Sequence, residues 1–130
     1  MDMRPTLLLC NIPERKMGAL RLCAVQLGLH LVAVPPERQG LTAEEVLSGV
    51  QEAKAPQAPF TEELLMLCGL PDRTVDGLLA RLRRQRATIA LKAVLTPTNR
   101  EWPLDRLYGE LCRERQAFAE GGTAHGETAT

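Results

Sequence analysis

A chain of 130 residues, 45% of them hydrophobic, carries enough apolar material for one core without covalent staples. Its 16 basic and 16 acidic residues cancel, which removes a global attraction to nucleic acid, anionic membranes or other polyanions. No apolar run approaches the roughly 18 residues of a membrane span, and the aromatic content, 3%, is low.

The first segment, MDMRPTLLLCNIPER, has an acidic second residue and a short apolar run. A signal peptide needs a basic start and a longer run, so none is read, and a cytoplasmic setting with reduced thiols is expected. Within this segment TLLLC (Thr6 to Cys10) predicts a strand, apolar on both faces. Asn11 tolerates positive φ at a sharp strand exit, Pro13 suits the first helical turn, and Glu14 sits at the positive end of the helix dipole. Met17, Leu20, Ala24 and Leu27 then fall at helical spacing, and LHLVAV (Leu29 to Val34) predicts a second strand.

Between Pro35 and Phe60 one helical stretch stands out, LTAEEVLSGVQEA, with Thr42 as N-cap and Glu45 at capping-box distance. After the break KAPQAP, the chain nearly repeats itself. LLLCNIPER (Leu7 to Arg15) aligns without a gap to LMLCGLPDR (Leu65 to Arg73), identical at five of nine positions. Gly69 replaces Asn11, Pro71 replaces Pro13 and Asp72 replaces Glu14, so one strand-to-helix turn is written twice. The proline and the acid at each turn speak against a phosphate cradle there. Val75, Leu78, Leu79 and Leu82 continue as a helix, and TIALKAVLT (Thr88 to Thr96) predicts a fourth strand, whose Lys92 suits a sheet edge. PLDRLYGELCRERQAF, with Leu104, Leu107, Tyr108, Leu111, Cys112 and Phe118 on one stripe, predicts a C-terminal helix that covers the second sheet face. The tail EGGTAHGETAT is expected to be disordered.

Two β-α-β halves (about 5–35 and 62–97), a C-terminal helix (about 103–119) and a tail (121–130) make one α+β domain over residues 1–120. The pseudosymmetry favours a four-stranded, ferredoxin-like antiparallel sheet, with the linker helix and C-terminal helix added. The alternative is an α/β doubly wound parallel sheet. Both place TLLLC and LLMLC in the centre.

The stretch LKAVLTPTNREWPLDRLYGELCRE (Leu91 to Glu114) resembles the signature of a bacterial family of small proteins catalogued as a domain of unknown function. The features are AVLTPTN, the tryptophan three residues after the asparagine, and the leucine-bearing helix that follows. LLLCNIPER and LLMLCGLP resemble that family's strand-to-helix turns, so the resemblance runs from about Pro5 to Phe118. It implies no activity and no catalytic residue.

LTPTNREW is the most distinctive polar segment. Thr96, Thr98, Asn99, Arg100 and Trp102 bring hydroxyls, an amide and a guanidinium beside the only tryptophan, a composition suited to a small polar ligand. The same residues suit a scaffold turn, with Asn99 in an Asx-turn, Pro97 stiffening the bend and Trp102 plugging the core. Arg81, Arg83, Arg84 and Arg86 could meet phosphates, but the predicted strands hold no aromatic platform and the cations favour the helix C-terminus, so nucleic-acid binding is not expected. His30 beside a strand and His125 in the tail lack a partner for general-base work, and Cys10 and Cys68 end apolar strands in a weak setting for a nucleophile. The four cysteines, Cys10, Cys23, Cys68 and Cys112, show no C-x-x-C spacing, so a metal is not expected, and with no P-loop or dinucleotide fingerprint no cofactor is expected either. The reading is a non-catalytic binding or interaction module, self-associating as a homodimer through an apolar sheet or helix surface. The alternative is a small metabolite sensor or enzyme built on LTPTNREW.

Overall fold

The computed structural model describes residues 4–121. Glu120 and Gly121, expected in a disordered tail, end the last helix instead; the rest of that tail, with His125, lies outside the described residues. In chain order the elements are β1 (Thr6–Cys10), α1 (Glu14–Leu27), β2 (His30–Ala33), α2 (Ala43–Leu47), β3 (Leu64–Cys68), α3 (Asp72–Arg84), β4 (Leu91–Val94) and α4 (Leu104–Gly121). Single 3₁₀ turns at Pro36–Arg38 and Asn99–Glu101 lie ahead of α2 and α4.

The four strands form one mixed sheet in the order β2-β1-β3-β4. β1 pairs in parallel with β2, from Thr6 opposite His30 to Leu9 opposite Ala33. β3 pairs in parallel with β4, from Leu64 opposite Leu91 to Leu67 opposite Val94. The two central strands are antiparallel, with Thr6 opposite Cys68 and Cys10 opposite Leu64.

This overturns the ferredoxin-like antiparallel sheet. In a split β-α-β fold a strand of the other half separates the two strands of each unit. Here each helix returns its strand directly beside the one it left, which makes both units parallel crossovers. The wholly parallel, doubly wound alternative fails at the centre, where β1 and β3 run in opposite directions. The linker explains both outcomes. Residues 35–63 carry α2 across one face, so β3 arrives beside β1 rather than as the hairpin partner of β2.

The local turn chemistry matches its sequence logic. Asn11 (φ 57°) and Gly69 (φ 74°) both take left-handed backbone at the strand exits. Pro13 and Pro71 stand one position earlier than expected, as N-caps of α1 and α3 with φ near the ring's preferred value, −64° and −62°. Gly28 ends α1 in the αL conformation (φ 72°), and Leu29 N–H then reaches Ala24 O at 2.9 Å. Thr42 and Glu45 form the full capping box of α2.

Both sheet faces are buried within the one chain. Leu7, Leu9, Leu65 and Leu67 meet Leu20, Cys23, Leu78 and Leu82 of α1 and α3. Leu8, Cys10, Leu64, Met66 and Cys68 meet Val46 of α2 and Leu104 and Leu107 of α4. Apolar character on both faces of β1 and β3 follows from this sandwiching. It also corrects the expectation that a bare apolar sheet surface is free for a second copy.

The linker is bound to α4 by main-chain contacts. Leu104 N–H donates to Leu41 O (3.0 Å) and Asp105 N–H to Gln39 O (3.2 Å), which satisfies donors that a helix start otherwise leaves orphaned. The Asp105 carboxylate in turn accepts from Ala58 N–H at 3.0 Å. Gln39, 0% exposed, donates to Val34 O (2.8 Å) and Asn11 Oδ1 (3.2 Å). Asn11 donates onward to the carbonyls of Phe60 and Glu62. One buried amide chain therefore ties the β1 exit to both ends of the linker.

Candidate functional site

The LTPTN segment folds back on itself. Asn99 Oδ1 accepts from Thr96 N–H (2.8 Å), Asn99 N–H donates to Thr96 Oγ1 (3.0 Å), and Asn99 Nδ2 donates to Val94 O (3.0 Å). The side-chain groups of Thr96 and Asn99 thus close the turn that follows β4. Thr98 is exposed beside them. Trp102 is half-buried, packs on the α2–α4 side of the core, and lies under the Arg106 guanidinium, 4.5 Å from the ring centroid. Thr96 and Asn99 come together; Arg100 points elsewhere.

Arg100 lines a cleft of about 810 Å³ between β2 and α2. All four β2 residues, His30 to Ala33, lie along it, and Val46 to Gly49 at the end of α2 form the facing wall. Thr6 joins the lining, and Arg4, Arg38 and Glu44 complete the charged rim with Arg100. Arg4 precedes β1, Arg38 ends the first 3₁₀ turn, and Arg100 lies in the second, so the fold gathers three guanidinium groups from well-separated points of the chain. Arg38 is tethered through Nη2 to Val50 O (3.0 Å), while its buried Nε has no hydrogen-bond partner among the described residues. Arg100 Nε lies 3.2 Å from Glu44 Oε1, an ion-pair distance without hydrogen-bond geometry. His30 is exposed on the edge strand.

The other candidates stand apart from this cleft. Cys10 and Cys68 are buried, and burial pushes both thiols up to about 12, far from a reactive thiolate. Antiparallel pairing sets Cys68 opposite Thr6 and Cys10 opposite Leu64, so the two sulfurs lie at opposite ends of the central pair. On α3, Arg81 donates to Gln26 Oε1 (3.1 Å) and Gly77 O (3.3 Å). Arg86 follows the helix with a positive φ of 56°.

A second polar cluster caps the start of β3. Arg115 grips both Glu62 carboxylate oxygens at 3.0 Å, and Tyr108 Oη donates to Glu62 Oε1 at 3.1 Å. Arg115 holds the Glu62 carboxyl below its ordinary value. Tyr108 is raised to about 12, first by its hydrogen bond with Cys112 and then by burial and Glu62. Phe60 stacks on the Tyr108 ring, centroids 4.4 Å apart. The cluster clamps α4 to the linker. Deeper in the chain, Lys16, 8% exposed, donates to Glu63 Oε1 and Thr88 O, both at 2.6 Å.

Sequence reasoning reached Arg100 but not Arg4, Arg38 or Glu44. No spacing rule joins residues so far apart in sequence, and only the sheet order brings them to one edge.

Among the described residues no helix is long and apolar enough to cross a membrane. Residues 63–118 match the family described as a domain of unknown function (DUF3783). The match covers the β3-α3-β4 unit, the LTPTN turn and most of α4, and includes Arg100 alone of the four charged rim residues. Neither curated proteins nor solved structures yield a match to the chain.

Proposed function

We propose that the chain is a non-catalytic binding module and that the β2–α2 cleft is its binding surface. The observation that carries this reading is the convergence of Arg4, Arg38 and Arg100 on one cleft of about 810 Å³. A guanidinium only donates hydrogen bonds and keeps its charge at any physiological pH. Three of them around a cleft suit holding an anion rather than moving a proton. Glu44, the carboxylate of the lining, is already paired with Arg100. A cytoplasmic location, where thiols stay reduced, is part of this reading.

The test is chemical-shift mapping on ¹⁵N-labelled protein titrated with citrate and with acidic peptides. The reading expects the first saturable shifts at residues 30–33 and 44–49. Shifts confined to Arg81–Arg86 or to the 96–99 turn would overturn it; the latter pattern would favour a ligand sensor built on Thr96, Thr98, Asn99, Arg100 and Trp102.

Self-association is a second reading, now through a helix. Leu22 (47% exposed) and Val25 (81%) sit one turn apart on the outer face of α1. Light scattering at high concentration should then report a dimer that the Leu22→Glu/Val25→Glu variant dissolves. A monomer in the unaltered chain removes this reading.

A further inference from the structure

Resting on the cleft being the binding surface, the geometry points to its occupant: we propose that an extended, acidic segment of another polypeptide adds to the free edge of β2 as a fifth strand, its carboxylates facing Arg4, Arg38 and Arg100.

The first support is the backbone. His30 N–H donates to Pro5 O and Val34 N–H to Leu9 O, both at 2.9 Å. In a parallel ladder the residues bonded to one neighbour alternate with those facing away. The main-chain groups of Leu31 and Ala33 therefore point away from β1, on the side where the sheet ends. Exposed strand edges are pairing templates that proteins commonly blunt with lysine, proline or covering chain. The opposite edge strand, β4, carries Lys92. β2, His-Leu-Val-Ala, carries neither lysine nor proline, and the cleft opens along its whole length.

The second support is charge. Among the described residues the cleft lining holds three arginines and one carboxylate, so their combined charge beside the open edge is positive. The arginines come from three separate segments of the chain rather than one focus. A strand advances about 3.3 Å per residue and sends alternate side chains to one face. A peptide with acids at alternate positions would meet the rim with its carboxylates while its main chain satisfies Leu31 and Ala33. Main-chain bonds supply affinity in this mode, and alternate side chains supply selectivity.

The test uses the full chain and two peptides of sequence Glu-Val-Glu-Val-Glu-Val-Glu. One is unmodified, and the other is N-methylated at every peptide bond. Hydrogen exchange read by NMR should show the Leu31 and Ala33 amides becoming protected with the unmodified peptide. The N-methylated peptide, with its main-chain donors removed, should bind at least about tenfold more weakly. Arg38→Gln/Arg100→Gln should weaken the unmodified peptide by a similar factor and leave the fold intact by circular dichroism. Should the double variant misfold, raising salt supplies the same information, since rim charges are screened within about 10 Å at 0.1 M. Equal binding of the two peptides, or binding without protection of Leu31 and Ala33, would overturn strand addition. Citrate shifts in the cleft with no peptide binding would overturn it too, while leaving the cleft as an anion site. Absence of every response in the cleft would sink both readings.

Discussion

Gly40 has no room for a side chain. A Cβ built there would lie 2.6 Å from Lys54 O and closer still to Ala55 O, both main-chain atoms. The two strands of linker cannot part, because Gly40 N–H donates to Lys54 O (2.8 Å) and Lys54 N–H to Glu37 O (2.9 Å). Gly40→Ala is expected to cost about 2 kcal/mol, the range of overpacking, measured by urea unfolding. Glu62 makes the other residue-level prediction. Its folded pKa lies below the ordinary 4.5, chiefly through the Arg115 hydrogen bonds. Its contribution to stability is therefore complete above pH 4.5 and disappears as pH falls through the lowered folded value. The Glu62→Gln variant should lose stability at neutral pH and show a shallower acid limb than the parent when unfolding is followed against pH. An unchanged acid limb would assign the effect to other carboxylates.

Among the elements, the turn after β4 separates scaffold from site. Asn99 satisfies Thr96 N–H and Val94 O with one side chain, and its own N–H is taken by Thr96 Oγ1. Asn99→Ala should cost about 1 kcal/mol through those lost bonds. Because Arg100 follows directly, the same variant should also loosen the rim of the cleft. A variant that keeps its melting temperature but loses peptide binding would make Asn99 a contact residue instead. Element by element, the unbroken apolar runs located the strands TLLLC and LLMLC to the residue. The outer strands came out shorter than expected, His30–Ala33 and Leu91–Val94. Of their flanking apolar residues, Leu29 and Ile89 are buried outside the ladder, and Val34 is buried with only its N–H reaching Leu9 O of β1; burial, not pairing, is what hydrophobic runs report.

For the whole molecule, the ion pair of Lys16 and Glu63 joins the two β-α-β units. Lys16 belongs to α1, Glu63 stands just ahead of β3, and Thr88 O and Ala90 N–H from the approach to β4 complete the group. Lys92 lies near enough that Lys16 disfavours its charged form and Glu63 favours it, with burial the larger effect lowering its pKa. Removing one partner strands a nearly buried charge, so Lys16→Met should cost about 3 kcal/mol. Adding Glu63→Gln to that variant should recover a large part of the loss, because the pair replaced together leaves no orphan charge. Additive losses in the double variant would show that the pair is not coupled.

Sequence alone determined what is local. Asn11 and Gly69 had to allow positive φ because a strand turning sharply into a helix demands it, and Thr42 with Glu45 had to cap because no other pairing of those residue types serves a helix start as well. Sequence also singled out Arg100 as a candidate, as part of a distinctive polar run. The tertiary structure decided which strands are neighbours and in which direction. Hydrophobic period tells a strand which faces are buried but says nothing of its partner, and here β1 and β3 are apolar on both faces whatever lies beside them. The cleft depends on that decision. Arg4, Arg38 and Arg100 become neighbours only because β2, rather than a strand of the other half, ends the sheet beside β1.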